Sequence, residues 1–272
     1  MEKKRSILIF KFSLVIGGGE RHNLILSNEL KKRGWSVLVF SNFKPLLSRF
    51  KKEGIKSKKF YWGPEASARR NVIRFLISFP MNYIRFLFLL LINFRRESEN
   101  VVLFQNLNEK LIATKMAKKI GYKVFWIEHL SIDPWLTKNI LKGSYVHNSQ
   151  YANKIITVSE TIKKELIEKI GINENKVATV NNGIDLDAFR PEEKDTIEAK
   201  KKELGFYKGS KIIGFVGRLH TEKGVDTLLN AFSLVLKRFD SAYLLIIGDG
   251  PDRKKFEELS HRLGLEIGRA HV

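Results

Sequence analysis

Two short segments carry residue types that suit an anionic ligand. GRLHTEKG, Gly217–Gly224, sets Arg218 and Lys223 five positions apart. Arginine offers a planar fork for phosphate oxygens, and lysine offers a mobile point charge. The apolar run KIIGFV precedes this segment. After it, Val225, Leu228, Leu229, Phe232, Val235 and Leu236 share one helical face. The two cations thus flank a loop between a strand end and a helix start, where α/β sheets bind ligands. Cations at a helix N-terminus oppose its dipole, and a diphosphate partner removes the conflict. GGGER, Gly17–Arg21, likewise joins a first strand to a first helix. Its glycines let backbone approach a ligand, and the helix start supplies N–H groups. It is not G-x-G-x-x-G, and no ribose-binding acid closes the second strand, so a plain strand–helix turn and a ligand loop both stay open.

The elements that must position these loops alternate. Apolar runs at Ile7–Phe12, Val37–Phe40, Val101–Gln105, Lys123–Ile127, Ile155–Val158 and Val177–Val180 predict strands. Helices are predicted at Glu20–Arg33, Met81–Arg96, Glu109–Ile120 and Glu160–Ile170. Several runs are continuously apolar, the mark of strands buried on both faces of a parallel sheet. The pattern predicts a doubly wound α/β domain over residues 1–184. It pauses in the polar stretch 185–206, read as a linker. It restarts over 207–265 with strand Lys211–Val216, helix Val225–Phe239, strand Tyr243–Ile247 and a helix from Asp252. Two strands cannot bury both faces of a sheet, so this second domain reads as the first part of a larger one. The last seven residues, EIGRAHV (Glu266–Val272), match the translation of a common sequencing-library adapter and read as an assembly artefact.

The chain has 272 residues and a net charge of +20, which favours anionic partners. Between Lys44 and Arg74 ten Lys/Arg face two Glu, a net of +8. This run reads either as a solvated face or as a surface for anionic lipid. There is no cysteine, which excludes disulfides, thiolate-ligated zinc and a cysteine nucleophile, and suits a reducing cytoplasm. Lys11 interrupts the first apolar run, which argues against a signal peptide. Val72–Phe94 is long enough to span a bilayer, but Arg74, Asn82, Arg85 and Asn93 interrupt it and Pro80 breaks it. The expectation is an ordinary buried or interfacial helix from Met81.

GRLHTEKG, with ITVSE (Ile156–Glu160) and VNNGIDLDAF (Val180–Phe189) before it and IIGDGP (Ile246–Pro251) after it, resembles glycosyltransferase family four, the retaining GT-B glycosyltransferases also called glycosyl transferases group one. GGGER matches that family's glycine loop. The resemblance covers residue 7 to about residue 265 and implies a GT-B architecture: two Rossmann-like domains facing a cleft, acceptor side first and donor side second. It implies that Arg218 and Lys223 bind the donor diphosphate, and that Gly18 and Gly19 approach donor phosphate and acceptor. It also implies that His129, in WIEHLS, reaches the transferred sugar or its phosphate; a lone histidine in that position is otherwise a structural residue. Gly248, Asp249 and Gly250 are expected near the nucleotide, although a plain β–α turn explains them equally well.

The implied reaction moves a hexose-type sugar from a nucleoside diphosphate to a hydroxyl acceptor, with retention, in polysaccharide or glycolipid synthesis. A lipid-linked acceptor and peripheral contact with the inner face of an anionic membrane fit the basic surface. No cofactor, metal or nucleic acid is expected; Asp185-Leu186-Asp187 mimics a D-x-D metal motif but reads as an interdomain turn. The family continues with two glutamates eight apart that hold sugar and ribose. The chain ends before them, so little turnover is expected from it as it stands. A nucleotide-sugar epimerase of the same architecture and a basic non-enzymatic binding module remain as alternatives.

Overall fold

The computed structural model describes residues 4–64, 71–129, 136, 140–207, 209–239 and 241–265. The adapter-like heptapeptide and residues 65–70 of the basic run lie outside these. The chain divides into two units between Ile184 and Asp185.

The first unit is built on β1 (Lys4–Lys11), β2 (Ser36–Ser41), β3 (Lys56–Lys59), β4 (Ser98–Phe104), β5 (Lys123–Glu128), β6 (Lys154–Thr157) and β7 (Val177–Thr179). They form one parallel sheet in the order β3-β2-β1-β4-β5-β6-β7. Side-chain alternation along each strand sends both sets inward. Leu8, Phe10, Phe40, Val102, Phe104, Val124 and Trp126 fill one face. Ile7, Ile9, Val37, Val39, Val101, Leu103 and Ile127 fill the other. Helices therefore have to cover both sides. α1 (Gly18–Lys32) and α2 (Lys44–Lys52) lie over the second set, which takes up Leu24, Leu26, Leu46 and Phe50. α3 (Val72–Asn93), α4 (Leu107–Ile112), α5 (Thr114–Ile120) and α6 (Leu141–Ser149) lie over the first. There Phe10 stacks on Phe40, with ring centroids 4.9 Å apart. The chain then passes through α7 (Glu160–Glu165), whose N-terminal Ile162 N–H is capped by the Ser159 hydroxyl.

Three elements differ from expectation. β3, KSKK, has no apolar side chain to mark it; it is an edge strand whose lysines discourage further pairing. The expected helix over Glu109–Ile120 is two helices that meet at Ala113. The largest correction concerns α3. It runs unbroken from Val72 through Pro80, and it is not an ordinary buried helix. Only Phe75, Asn82, Phe86 and Leu90 are buried. Proline removes a single backbone donor, and packing of Phe75 and Phe86 on either side of it holds the two halves in line.

The second unit holds α8 (Lys194–Glu203), β8 (Lys211–Val216), α9 (Val225–Leu236), β9 (Ala242–Ile247) and α10 (Arg253–Arg262). α8 lies inside the stretch expected to be a linker. β8 and β9 pair in parallel. A core of Leu219, Val225, Leu229, Phe232, Phe256 and Leu265 joins them to α9 and α10.

Candidate functional site

In the first unit β1 pairs with both β2 and β4, so the strand order reverses there. The crevice at the carboxyl ends of β1 and β4 is the place where such a sheet binds ligands. Lys11 ends β1, Gln105 follows β4, and His129 follows β5. Lys11, read in the sequence as an interruption of an apolar run, is a nearly buried cation, its side chain 11% exposed. It pairs with Glu20 at 3.3 Å. Glu20 also accepts from the Ser13 hydroxyl (2.6 Å) and reaches back to the Gly17 N–H (2.9 Å). Burial pushes this carboxyl up, but Ser13, Lys11 and Gly17 together hold it below its ordinary value. Glu20 thereby clamps the glycine loop onto the end of β1.

The two glycines of that loop differ. A Cβ at Gly19 would sit 3.3 Å from the Lys11 ammonium, whereas nothing lies within 4 Å of a Cβ at Gly18. Packing therefore does not require glycine at Gly18, the first residue of α1.

A chain of hydrogen bonds runs from this loop to His129. The Asn23 amide donates to the Gly19 carbonyl (2.7 Å), which fixes its orientation. Asn23 and Gln105 then exchange two bonds, 2.9 and 2.6 Å, which fixes Gln105. The Gln105 side-chain Oε1 lies 3.2 Å from His129 Nε2. An acceptor there requires Nε2 to carry the proton, leaving the Nδ1 lone pair available. The His22 ring stands edge-on to His129 at 5.2 Å. Burial, and then Lys11 nearby, press His129 down to about 3 and His22 below its ordinary value. His129 is thus a neutral hydrogen-bonding group at physiological pH.

Stability follows from this. The unfolded chain takes up a proton at His129 below about pH 6.5, and the folded chain does not until about pH 3. Stability is therefore lost as pH falls through that window. At pH 5 the cost is up to about 2 kcal/mol. His129→Gln keeps a hydrogen-bond donor and removes the titration, so its urea midpoint should drop less between pH 7 and pH 5 than that of the wild type. Equal drops would show that His129 is not held neutral.

Beneath these groups lies a buried polar layer. Lys110 meets Glu128 at 2.6 Å and donates to the Gln105 carbonyl at 2.8 Å; Tyr145 donates to Glu128 at 2.5 Å. Glu109 is fully buried, which raises it to about 7. It accepts from the Gln105 and Asn106 N–H groups and from Trp62 Nε1. Together these groups fix the backbone of Gln105.

In the second unit Arg218 and Lys223 lie on one exposed turn at the start of α9. Lys223 closes the short 3-10 turn Thr221–Lys223, and Gly224, at φ +68°, starts the helix. Among the described residues Arg218 has one weak acidic neighbour, Glu222, at 3.9 Å. This turn is laced to the loop holding Gly248, Asp249 and Gly250. Gly217 N donates to Ile247 O (3.0 Å), Leu219 N to Asp249 O (2.9 Å) and Asp252 N to Leu219 O (3.2 Å). Thr221 donates to Asp252 Oδ2 from both its N–H (2.7 Å) and its hydroxyl (2.8 Å). Two hydrogen bonds from Thr221 hold the Asp252 carboxyl below its ordinary range. The Asp249 side chain is exposed and accepts from the N–H of Gly250 (2.8 Å). Gly248–Gly250 is therefore more than a free turn: it is the strut that fixes the shape of the cationic loop.

The sequence singled out both glycine-bearing loops and His129 as candidates. It missed Lys11, Glu20, His22, Asn23 and Gln105 around the first, and Thr221 and Asp252 around the second. A charge inside an apolar strand was the available signal for Lys11. Asp185 of the metal-like motif accepts from the backbone of Asp187 and Ala188, as a turn residue does.

The chain is 33% identical over 129 residues to an uncharacterized glycosyltransferase, MJ1607, of Methanocaldococcus jannaschii, covering 44% of this chain and 32% of that one. The chain spans about a third of the length of the curated relatives it matches. The crystal structure of a glycosyltransferase from Rickettsia africae superposes with a TM-score of 0.73 at 21% identity, covering 98% of this chain and 67% of that one. Anabaena Alr3699/HepE, solved with UDP and glucose, gives 0.67 at 18% identity, covering 96% and 67%. These two likenesses establish the fold, an α/β fold of the GT-B class. The family model described as Glycosyl transferases group 1 matches residues 196–268. The model described as Glycosyltransferase Family 4 matches residues 16–188, well over half of the sequence, and the chain belongs to that family.

Proposed function

We propose that the protein to which this chain belongs transfers a hexose-type sugar from a nucleoside diphosphate to a hydroxyl acceptor, with retention of anomeric configuration. The observation that carries this reading is the cationic turn of Arg218 and Lys223, held in a fixed shape at a helix start by the Gly248–Gly250 strut. A uracil nucleotide suits the donor, since the Anabaena relative was solved with UDP and glucose.

In the reaction the bond from the anomeric carbon to the diphosphate breaks and a bond to the acceptor oxygen forms. Negative charge grows on the departing phosphate, and preorganised cations and N–H groups stabilise it. Arg218 and Lys223 are the cations. Within the first unit, the N–H groups at the Gly18-Gly19 start of α1 suit an anionic oxygen. The departing phosphate takes the acceptor's proton, so no strong base is required. His129, neutral and oriented through Gln105, suits a sugar hydroxyl better than a phosphate charge. Gly248, Asp249 and Gly250 would border the nucleotide. No metal has a role in this scheme.

We place the acceptor on a lipid carrier and the enzyme on the cytoplasmic face of a membrane, the partner that the net charge of +20 favours. The test follows a radiolabelled sugar from its UDP donor. Label arriving on a lipid-extractable acceptor supports the transferase. Label that stays on the nucleotide but changes sugar stereochemistry supports an epimerase instead.

A further inference from the structure

Helix α3 is apolar on two opposite faces. Its inner face is locked into the core: Phe86 packs on Phe10 and Phe60, with ring centroids 5.4 and 5.0 Å away, and Leu90 is fully buried. Its outer face carries Ile73, Ile77, Met81, Ile84, Phe88 and Leu91, each more than half exposed. Their spacings of four, four, three, four and three residues draw one straight ridge along the helix. Twenty-two residues make it about 33 Å long. Single exposed apolar groups are ordinary on a protein surface; a continuous ridge of six marks a contact surface.

The surroundings of the ridge identify the partner. Arg74 and Arg85 fall on one shoulder, roughly 65–90° around the helix from the middle of the ridge. From there a long side chain can keep its stem in apolar surroundings and its head among polar groups. At the far end of α3 a groove of about 530 Å³ is lined by Lys51, Lys56, Lys58 and Arg95, with no acidic residue in its wall. Among the described residues none of these four cations makes an ion pair. An apolar ridge with a cationic shoulder and a cationic groove matches acyl chains beneath anionic headgroups.

Other occupants fit less well. A second copy of a chain charged +20 would bring like charges together around the ridge. A membrane crossing would tear Phe75, Phe86 and Leu90 out of the core. We propose that α3 is a membrane-docking element that lies flat at the surface of an anionic bilayer, with the ridge from Ile73 to Leu91 among the acyl chains and the Lys51–Lys56–Lys58–Arg95 groove on lipid phosphates. This deepens the lipid-linked acceptor reading and rests on it only for the purpose of docking. As the crossover from β3 to β4, α3 starts at the carboxyl end of the sheet, on the side of Lys11 and His129, and returns to the amino end.

The experiment is cosedimentation of the whole chain with vesicles of phosphatidylcholine alone or with 30% phosphatidylglycerol, alongside UDP titration of the same samples. The wild type should bind the anionic vesicles at least tenfold more tightly, and less so at high salt. The triple variant I77S/I84S/F88S removes only exposed side chains. It should lose vesicle binding tenfold or more while keeping its melting curve and its UDP affinity. K56E/K58E should lose binding to a similar extent. Absence of wild-type binding overturns the proposal, as does undiminished binding of the triple variant. Dimerisation of the wild type through the ridge, abolished by the triple variant, overturns it in favour of a protein partner. Vesicle binding without UDP binding leaves docking standing and overturns the donor reading instead.

Discussion

Replacing Arg218 and Lys223 together with alanine should weaken binding of a nucleoside diphosphate more than a hundredfold while leaving the fold intact. Both side chains are exposed, and Glu222, the acidic neighbour of Arg218 among the described residues, is 3.9 Å away, so the ligand-free structure loses little with them. A charge-assisted hydrogen bond to phosphate contributes about 1.5–3 kcal/mol. Two at the lower end of that range total about 3 kcal/mol, which is more than a hundredfold in affinity. Each single variant should lose about tenfold. Arg218→Lys should recover only part of its share, because a point charge cannot grip two oxygens at once. Calorimetric titration with UDP measures this, and unfolding curves of the variants provide the control. A double variant that binds UDP as the wild type does would remove the turn from the site.

Gly250→Ala, together with Gly248→Ala, should be among the most damaging small substitutions in the second unit. A Cβ at Gly250 would overlap the backbone carbonyl of Leu219, and one at Gly248 would overlap that of Gly217. Gly248 also sits at φ +152°, which L side chains rarely adopt. Backbone cannot yield as a flexible side chain does, so the two loops must separate. That breaks the bonds Leu219 N to Asp249 O and Asp252 N to Leu219 O. The expected cost is about 3 kcal/mol or more, read as a shift in the urea midpoint. UDP affinity should fall with it, because the shape of the cationic turn depends on the strut. Gly18→Ala offers the contrast. Open space surrounds its Cβ, so folding should be unchanged. Any loss of ligand binding there would report backbone approach to the ligand directly. If Gly250→Ala folds and binds normally, the strut is not what shapes the turn.

Much of this was readable in the sequence because a doubly wound sheet is buried on both faces. Its strands become continuous apolar runs, and β1, β2, β4 and β5 stand out for that reason. β3 could not stand out. An edge strand of lysines buries almost nothing, and α2, KPLLSRFKK, is short and basic around three buried residues. Pro80 misled because proline is a local signal and α3 is held by tertiary packing. The outer ridge of α3 was hidden for a related reason: apolar residues on both faces of a helix read as a wholly buried one. In the site, glycine loops announce themselves by composition. Asn23 and Gln105 do not, since their meaning lies in facing one another across 82 positions of sequence. Thr221 and Asp252 are legible only once two loops are seen to be one structure.

The central claim is that Gly217–Gly224 is a diphosphate clamp, and phosphorus NMR of the ligand tests it most directly. The wild-type chain would be titrated with uridine, UMP and UDP, and the two UDP phosphorus resonances followed. The account predicts little affinity for uridine, an intermediate affinity for UMP and the tightest binding for UDP. The β-phosphorus should show the larger shift, and R218A/K223A should abolish it. Equal affinity for uridine and UDP, or a β-phosphorus shift that survives in the double variant, would contradict it.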